Sequence, residues 1–136
     1  MGEARAMREK VLSRRGLGSV MLGATLVWLL PRGAFADKAG AAIEGPPSAK
    51  RSEEITLRVT FTHSANSSSH FIQWARVVVN EKEVARWDFS PGQLPEGATF
   101  AREIKLRAES DMRVTAQANC NKHGSKGPAT MNIKVS

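Results

Sequence analysis

The sequence contains one cysteine and no tyrosine in 136 residues, and only 6% of its residues are aromatic. With a single cysteine, Cys120, the chain cannot form an internal disulfide, so this thiol is an inert core group, a reactive nucleophile or a metal ligand. The formal net charge is +7, yet the basic residues are scattered among acidic ones. Nucleic-acid binding favours basic clusters with aromatic side chains, so we expect no nucleic-acid partner.

A long apolar run is also missing. The most apolar stretch, residues 17–30, is shorter than the roughly 20 residues that cross a bilayer, and Gly18 and Gly23 interrupt it. It follows Arg14 and Arg15 and precedes Ala34-Phe35-Ala36, a small-x-small pattern that signal peptidases accept. We therefore predict that residues 1–36 are a cleavable twin-arginine signal peptide, with a membrane anchor as the alternative.

A twin-arginine signal is an address for the export of proteins that are already folded, often with a cofactor loaded inside the cell. It predicts a periplasmic protein with no stable membrane anchor after cleavage. It also favours a bound metal, before any candidate ligand is considered.

The rest of the chain has the pattern of short strands. After an extended Gly/Ala/Pro-rich lead-in at residues 37–53, apolar residues alternate with polar ones from Ile55 to Phe61, which is typical of a strand with one buried face. Further strands are predicted at residues 71–79, 83–89, 99–106, 113–118 and 130–135. No part of the mature chain holds a helical period for more than about two turns. Residues 54–136 are therefore predicted to form an all-β, immunoglobulin-like antiparallel sandwich.

Every histidine of the chain and its only cysteine fall in two predicted loops. His63 and His70 flank the first loop, and Cys120 and His123 lie in a Cys-x-x-His turn after a later strand. Imidazole and thiolate together suit iron, zinc or copper, whereas calcium and magnesium prefer oxygen. A lone histidine at a strand end is usually a surface residue and a lone cysteine is usually a buried apolar group, but their grouping predicts one mononuclear metal site.

These two loops resemble the signatures of the desulfoferrodoxin and superoxide reductase iron-binding domain. Residues 63–74, HSANSSSHFIQW, are similar to its His-Pro...His-(Tyr/His)-Ile-x-Trp segment, and residues 118–124, ANCNKHG, to its Cys-Asn-x-His-Gly segment. The resemblance implies a mononuclear iron, Fe(II)/Fe(III), with Cys120 as axial thiolate and the other face open to superoxide. It implies that the equatorial ligands include His63, His70 and His123. Ile72 and Trp74 look like packing residues behind the site.

The sequence departs from the family pattern at one ligand. Family members carry a further equatorial histidine in the lead-in, within a Glu-Lys-His segment, and the matching residues here are Asp37, Lys38 and Ala39. Lys38 then corresponds to the family lysine whose cation attracts superoxide, a weak catalytic assignment. Ser64 stands where proline is usual, and the second, cysteine-rich iron centre of larger members is absent.

Three functions follow as expectations. The first is a superoxide reductase-like oxidoreductase that reduces superoxide to hydrogen peroxide and is recharged by an unidentified electron donor. The second is a non-catalytic periplasmic zinc, copper or iron carrier, since three histidines and one cysteine also make a tetrahedral site. The third is a metal-free partner-binding sandwich in the style of periplasmic sulfur carriers. Family members commonly form dimers or tetramers, but no residue here marks a homo-oligomer interface.

Overall fold

The computed structural model describes residues 38–136. Residues 1–37 lie outside the described residues, and with them the predicted signal peptide, its twin-arginine motif and its cleavage site after Ala36. Within residues 38–136 the regular structure is β, and no helix there is long and apolar enough to cross a membrane.

Two β-sheets make up this part of the chain. The strands are β1 (Gly40–Glu44), β2 (Ser48–Ala49), β3 (Glu54–Thr62), β4 (Ile72–Val79), β5 (Lys82–Asp88), β6 (Thr99–Arg107), β7 (Met112–Cys120) and β8 (Ala129–Val135). One sheet has the order β1-β3-β6 and the other has the order β2-β8-β7-β4-β5. The pairings between these strands are antiparallel except the two-residue pairing of β2 with β8. The predicted all-β sandwich is confirmed, with one short parallel contact added.

The core lies between the two sheets and follows from the alternation of apolar residues. In β3 the residues Leu57, Val59 and Phe61 are fully buried while their neighbours face outward. In β7 the same period buries Val114, Ala116, Ala118 and Cys120. Each large apolar side chain removed from water contributes about 1.5–3 kcal/mol. The six predicted strands are present, with ends within two residues of their predicted positions.

The lead-in at residues 37–53 is more ordered than its sequence indicates. Its residues form β1, which pairs along β3 from Gly40 opposite Thr62 to Glu44 opposite Arg58, and the short β2 beside β8. Glycine, alanine and proline have low strand propensity, so these strands depend on partners far along the chain. As a result the lead-in is part of the sandwich.

Both candidate ligand segments lie at one end of the sandwich. β3 ends at Thr62 and β4 begins at Ile72, which pairs with Cys120 at the end of β7. The loop of residues 63–71 and the turn of residues 121–124 therefore meet at the same end. Loops held on a rigid sheet scaffold are common positions for functional side chains.

Candidate metal centre

The strands place the four candidate ligands directly. His63 continues the inward-facing alternation of β3 one step beyond its last residue, and Cys120 is the last inward residue of β7. His63 and Cys120 are buried, at 9% and 1% exposure, whereas His70 is half-buried and His123 is exposed. The loop between His63 and His70 is fastened by Asn66, whose Nδ2 donates to the Pro95 carbonyl at 2.9 Å.

The ligand atoms converge. The nitrogen and sulfur atoms offered by His63, His70 and Cys120 all lie within 4.8 Å of one another. His123 joins them, with Nδ1 at 3.3 Å from His70 Nε2 and 3.9 Å from Cys120 Sγ. The structure thus groups His63, His70 and Cys120, with His123 beside His70 and Cys120, and whether these residues bind a metal stays a prediction.

The three imidazoles form an arc with His70 in the middle. The ring centroids of His63 and His70 are 4.7 Å apart and those of His70 and His123 are 5.0 Å apart. Both pairs meet edge to face, at interplanar angles of 89° and 70°. Rings that share one ion approach in this way, because each directs a nitrogen, rather than its face, at the common point.

His63 is oriented by its own loop. Its Nδ1 lies 2.8 Å from the Ala65 carbonyl oxygen, and because a carbonyl only accepts, this hydrogen bond requires the proton on Nδ1. The lone pair of the neutral ring is then on Nε2. A backbone carbonyl on the second ring nitrogen is the usual support of a metal-binding histidine.

Cys120 is surrounded by backbone N–H donors. The amides of Lys122 and His123 both donate to Cys120 Sγ at 3.4 Å. The turn is closed by Gly124, whose N–H donates to the Cys120 carbonyl at 3.1 Å and whose φ of +80° suits glycine. Two N–H dipoles directed at sulfur stabilise negative charge there, as a thiolate ligand requires.

Asn121 connects the two ligand segments. Its Oδ1 accepts from the Phe71 N–H at 3.0 Å and its Nδ2 donates to the Ser69 carbonyl at 3.2 Å, so it bonds the backbone on both sides of His70. Its own N–H donates to the Phe71 carbonyl at 3.1 Å. Asn121 therefore fixes His70 relative to Cys120. In the sequence, Asn121 is only one residue of the Cys-Asn-x-His-Gly segment. Its role could not be predicted there, because the contact joins residues fifty positions apart.

Ala39 lies between the two ends of the imidazole arc. Its N–H donates to the Gly124 carbonyl at 3.2 Å, next to His123, and the following residue pairs with Thr62, next to His63. The side chain is fully buried. Ala39 is therefore near the site and carries a methyl group, which offers no ligand atom, and its correspondence to the family histidine stays a prediction.

Lys38 lies near the centre but outside the group of ligand atoms. It lines a cavity of about 170 Å³ together with Thr62, His63, Ser64 and Lys126. Its predicted catalytic role stays a prediction. The two residues predicted to pack behind the site differ in burial. Ile72 is 1% exposed and pairs with Cys120. Trp74 is half-buried, and the guanidinium carbons of Arg76 and Arg86 each lie 5.2 Å from its ring centroid.

Comparison with known families identifies the domain. The family model described as desulfoferrodoxin matches residues 34–125, about two thirds of the chain. The chain belongs to the desulfoferrodoxin family. This confirms the resemblance seen in the sequence, and the match extends through the lead-in to the Cys120 turn. No curated protein sequence matches this desulfoferrodoxin domain protein significantly.

Solved structures share the fold of this desulfoferrodoxin domain. The superoxide reductase (neelaredoxin) from Ignicoccus hospitalis superposes with a TM-score of 0.61 at 24% identity, covering 73% of this chain and 82% of that one. A single-residue variant of the same protein gives a TM-score of 0.62 at 25% identity, covering 74% and 83%. The sulfur carrier protein SoxY from Chlorobium limicola f thiosulfatophilum shares the fold at 14% identity, with a TM-score of 0.50 and coverages of 71% and 78%.

The donor set fits a soft or borderline transition metal. Bonds of about 2.0–2.3 Å to nitrogen and sulfur place neighbouring ligand atoms roughly 3–4 Å apart around one ion, and the separations of 3.3 and 3.9 Å at His123 fall in this range. One thiolate with three imidazoles suits iron, zinc or copper. His123 thus has the spacing of a co-ligand to His70 and Cys120, while His63 offers a ligand atom within 4.8 Å of those of His70 and Cys120.

Proposed function

We propose that this protein is an exported mononuclear non-haem iron protein similar to superoxide reductase, which reduces superoxide by one electron to hydrogen peroxide. The observation that carries the proposal is the cluster of His63, His70 and Cys120, adjoined by His123, in a chain of the desulfoferrodoxin family. The iron would be held by these four side chains. Superoxide is the small-molecule substrate, and a separate electron donor restores the reduced state.

Ferrous iron, when bound, supplies one electron to superoxide, and two protons complete hydrogen peroxide while the iron becomes ferric. The residues of the chain set the conditions for this transfer. The Cys120 thiolate would donate electron density to a bound ion, as thiolates do in haem proteins. The amides of Lys122 and His123 hold the sulfur in place and moderate its charge. The Ala65 carbonyl and Asn121 orient the imidazoles of His63 and His70.

Four protein ligands leave room for a small molecule on iron, which accepts five or six donors. The exposed His123 and the half-buried His70 give solvent and small anions access to this end of the sandwich. An accessible coordination position is what separates a reactive metal from a structural one. Lys38 supports the proposal as a cation close to His63 that attracts superoxide.

The decisive experiment is reconstitution of the mature protein with Fe(II) under anaerobic conditions, followed by superoxide decay in pulse radiolysis. We expect second-order decay well above that of free iron, together with an intense sulfur-to-iron charge-transfer band after oxidation. Cys120→Ser should remove the band and His70→Ala should reduce iron content. Lys105→Ala, an exposed change in β6, is the control. Decay no faster than with free iron would refute the activity.

A second candidate is a zinc or copper site without turnover. The observation that favours it is Ala39, because with a methyl group at this position the donor set has four members, the number that tetrahedral zinc takes. Metal analysis of protein purified from its native host distinguishes the two. Stoichiometric, colourless zinc supports the carrier, and iron with a visible band supports the reductase.

Export by the twin-arginine route to the periplasm is part of the proposal. It is supported by the Arg14-Arg15 pair and the Ala34-Phe35-Ala36 pattern. Replacement of both arginines by lysine should retain the unprocessed chain in the cytoplasm. Cell fractionation and the N-terminal sequence of the periplasmic form test this, and an unchanged periplasmic fraction in the variant would contradict it.

A further inference from the structure

A small cavity adjoins the metal centre and shares His63 with it. The cavity holds about 170 Å³ and is lined by two lysines, two hydroxyl residues and the histidine, namely Lys38, Lys126, Thr62, Ser64 and His63. No carboxylate belongs to this lining. The lining thus offers two cations and two hydroxyl donors, which is the chemistry that binds a small anion.

The backbone brings the two lysines together from distant parts of the sequence. Ala39 forms a parallel bridge with Ser125: its N–H donates to the Gly124 carbonyl at 3.2 Å, and its carbonyl accepts from the Lys126 N–H at 2.8 Å. Lys38 and Lys126 immediately adjoin this bridge on its two strands. Their proximity is therefore built into the same contact that joins the lead-in to the ligand turn.

Gly40 gives the Lys126 side chain its path. A Cβ at position 40 would lie 3.3 Å from Lys126 Cδ and 3.2 Å from Thr62 Oγ1. Both contacts are tight, so the missing side chain is what allows the Lys126 stem to cross β1 beside Thr62. The Lys126 stem therefore lies against the Gly40 backbone, and Lys126 is part of the cavity lining.

The two lysines of the lining have no acidic partner among the described residues. None of the ion pairs among residues 38–136 includes Lys38 or Lys126. Elsewhere in the same region arginines and Lys134 pair with carboxylates. Both lysines are therefore available to a small anion.

We infer that this cavity is a binding site for a small monovalent oxygen anion, with Lys126 as the second cation beside Lys38 and with Thr62 and Ser64 as hydrogen-bond donors. The identification of that anion as superoxide rests on the proposed function. The anion collects next to His63, within the same end of the sandwich as the ligand atoms. Lys126 is thus a specificity residue of the anion site and does not belong to the metal-binding set.

The binding step is tested on zinc-loaded protein with nitrate, a small oxyanion that is a poor metal ligand. Nitrate is titrated at low ionic strength while backbone amide shifts are followed by NMR. We expect saturable shifts at Thr62, Ser64 and Lys126. Lys126→Ala should weaken nitrate binding about fivefold, because it removes one close charge, and Lys126→Arg should restore it to within about twofold.

Lys105→Ala is the matched control. Lys105 is an exposed lysine that pairs with Thr56, six positions along β3 from Thr62, so it is about 20 Å from the cavity. Its loss changes the net charge equally and should leave nitrate binding unchanged. Absence of localised shifts, parental affinity in Lys126→Ala, or equal weakening in Lys105→Ala would each overturn the inference.

A second measurement separates this inference from the proposed function. In iron-loaded protein, Lys126→Ala should slow superoxide decay about threefold at low salt, and the difference should disappear near 1 M salt, where the Debye length is about 3 Å. Nitrate binding in a protein that leaves superoxide untouched supports the anion site and refutes the reductase. Superoxide decay without nitrate binding refutes the anion site alone.

Discussion

At the scale of single residues, the centre depends on one asparagine as much as on its ligands. Asn121 contacts the backbone on both sides of His70 through its side-chain oxygen and nitrogen. Replacing a residue that orients a metal ligand by hydrogen bonding typically lowers metal affinity about 10–100-fold. Because Asn121 belongs to the Cys120 turn, its side-chain hydrogen bonds hold the His70 segment at a fixed position relative to Cys120.

We expect Asn121→Ala to lower zinc affinity between about 10-fold and 100-fold while the protein stays folded. Asn121→Asp keeps the acceptor for the Phe71 N–H but loses the donor to the Ser69 carbonyl, so its affinity should fall between the two. Competition with a chromophoric chelator measures the affinity. Asn132→Ala, at an exposed position of β8, is the control. Parental affinity in Asn121→Ala would show that His70 needs no such support.

Ala39 offers a test of the open position in the donor set. It is buried between the Gly124 turn and the end of β3, so Ala39→His places an imidazole where the ligand arc is incomplete. We expect iron affinity to rise about tenfold, equivalent to about 1.4 kcal/mol, and the visible spectrum of the ferric form to change. Ala39→Leu has similar bulk without a ligand atom. Equal spectra for the two variants would exclude coordination by residue 39.

At the scale of elements, β1 packs closely against β3 at Gly45, the residue that directly follows β1. A Cβ on Gly45 would collide with the Leu57 side chain, which is fully buried in the core. Gly45→Ala should therefore destabilise the fold by about 1–3 kcal/mol through overpacking. Gly92→Ala makes the same chemical change where nothing lies within 4 Å. Urea denaturation compares them, and equal midpoints would contradict the packing role of Gly45.

The strands differ in how far the sequence alone predicts them. β3 and β7 alternate apolar and polar residues over nine positions each, so a local pattern is enough to predict them. β1 and β2 are short and rich in alanine, and they exist because β3 and β8 offer free edges. These two segments become strands because they pair with strands that are distant in sequence, and a local sequence pattern carries no information about such pairing.

The same distinction holds at the metal centre. The candidate ligands could be singled out because histidine and cysteine are rare in this chain and their chemistry is specific. Asn121 and Lys126 could not, because asparagine and lysine are common surface residues. Their roles come from backbone contacts across fifty positions in one case and from the bridge to Ala39 in the other. Tertiary proximity is what distinguishes them from neighbours of the same type.

At the scale of the whole molecule, stability in acid depends on a carboxylate far from the metal centre. The Val135 N–H, which donates to Asp111 Oδ1 at 2.8 Å, and secondarily the Lys134 ammonium hold the pKa of the Asp111 carboxyl below its ordinary value. A carboxyl with a lowered folded-state pKa stabilises the fold above its unfolded pKa, about 3.9, and loses this contribution as pH falls through the folded value.

Asp111→Asn should therefore lower the melting temperature at pH 7 and have a smaller effect near pH 2, where the parent carboxyl is protonated as well. Glu109→Gln removes an equal charge from the same turn and is the control. Glu109 forms an exposed ion pair with Arg107, and such a pair contributes little to stability. Thermal melts of both variants across pH 2–7 give the comparison. A constant difference between Asp111→Asn and the parent at every pH would contradict the assignment.

The arc of ligands has a mechanical consequence for a chain that cannot form a disulfide. His63 extends from the three-stranded sheet, whereas Cys120 ends a strand of the five-stranded sheet, so one ion would fasten the two layers to each other. A cross-link between positions 63 and 120 removes chain entropy worth about 4 kcal/mol in the loop-closure model. Metal removal should then lower the melting temperature by more than about 10 °C, and Cys120→Ser, which removes one of the bridging ligands, should make that difference smaller. The ion would then stabilise the domain by cross-linking its two sheets, independently of any reaction with a substrate.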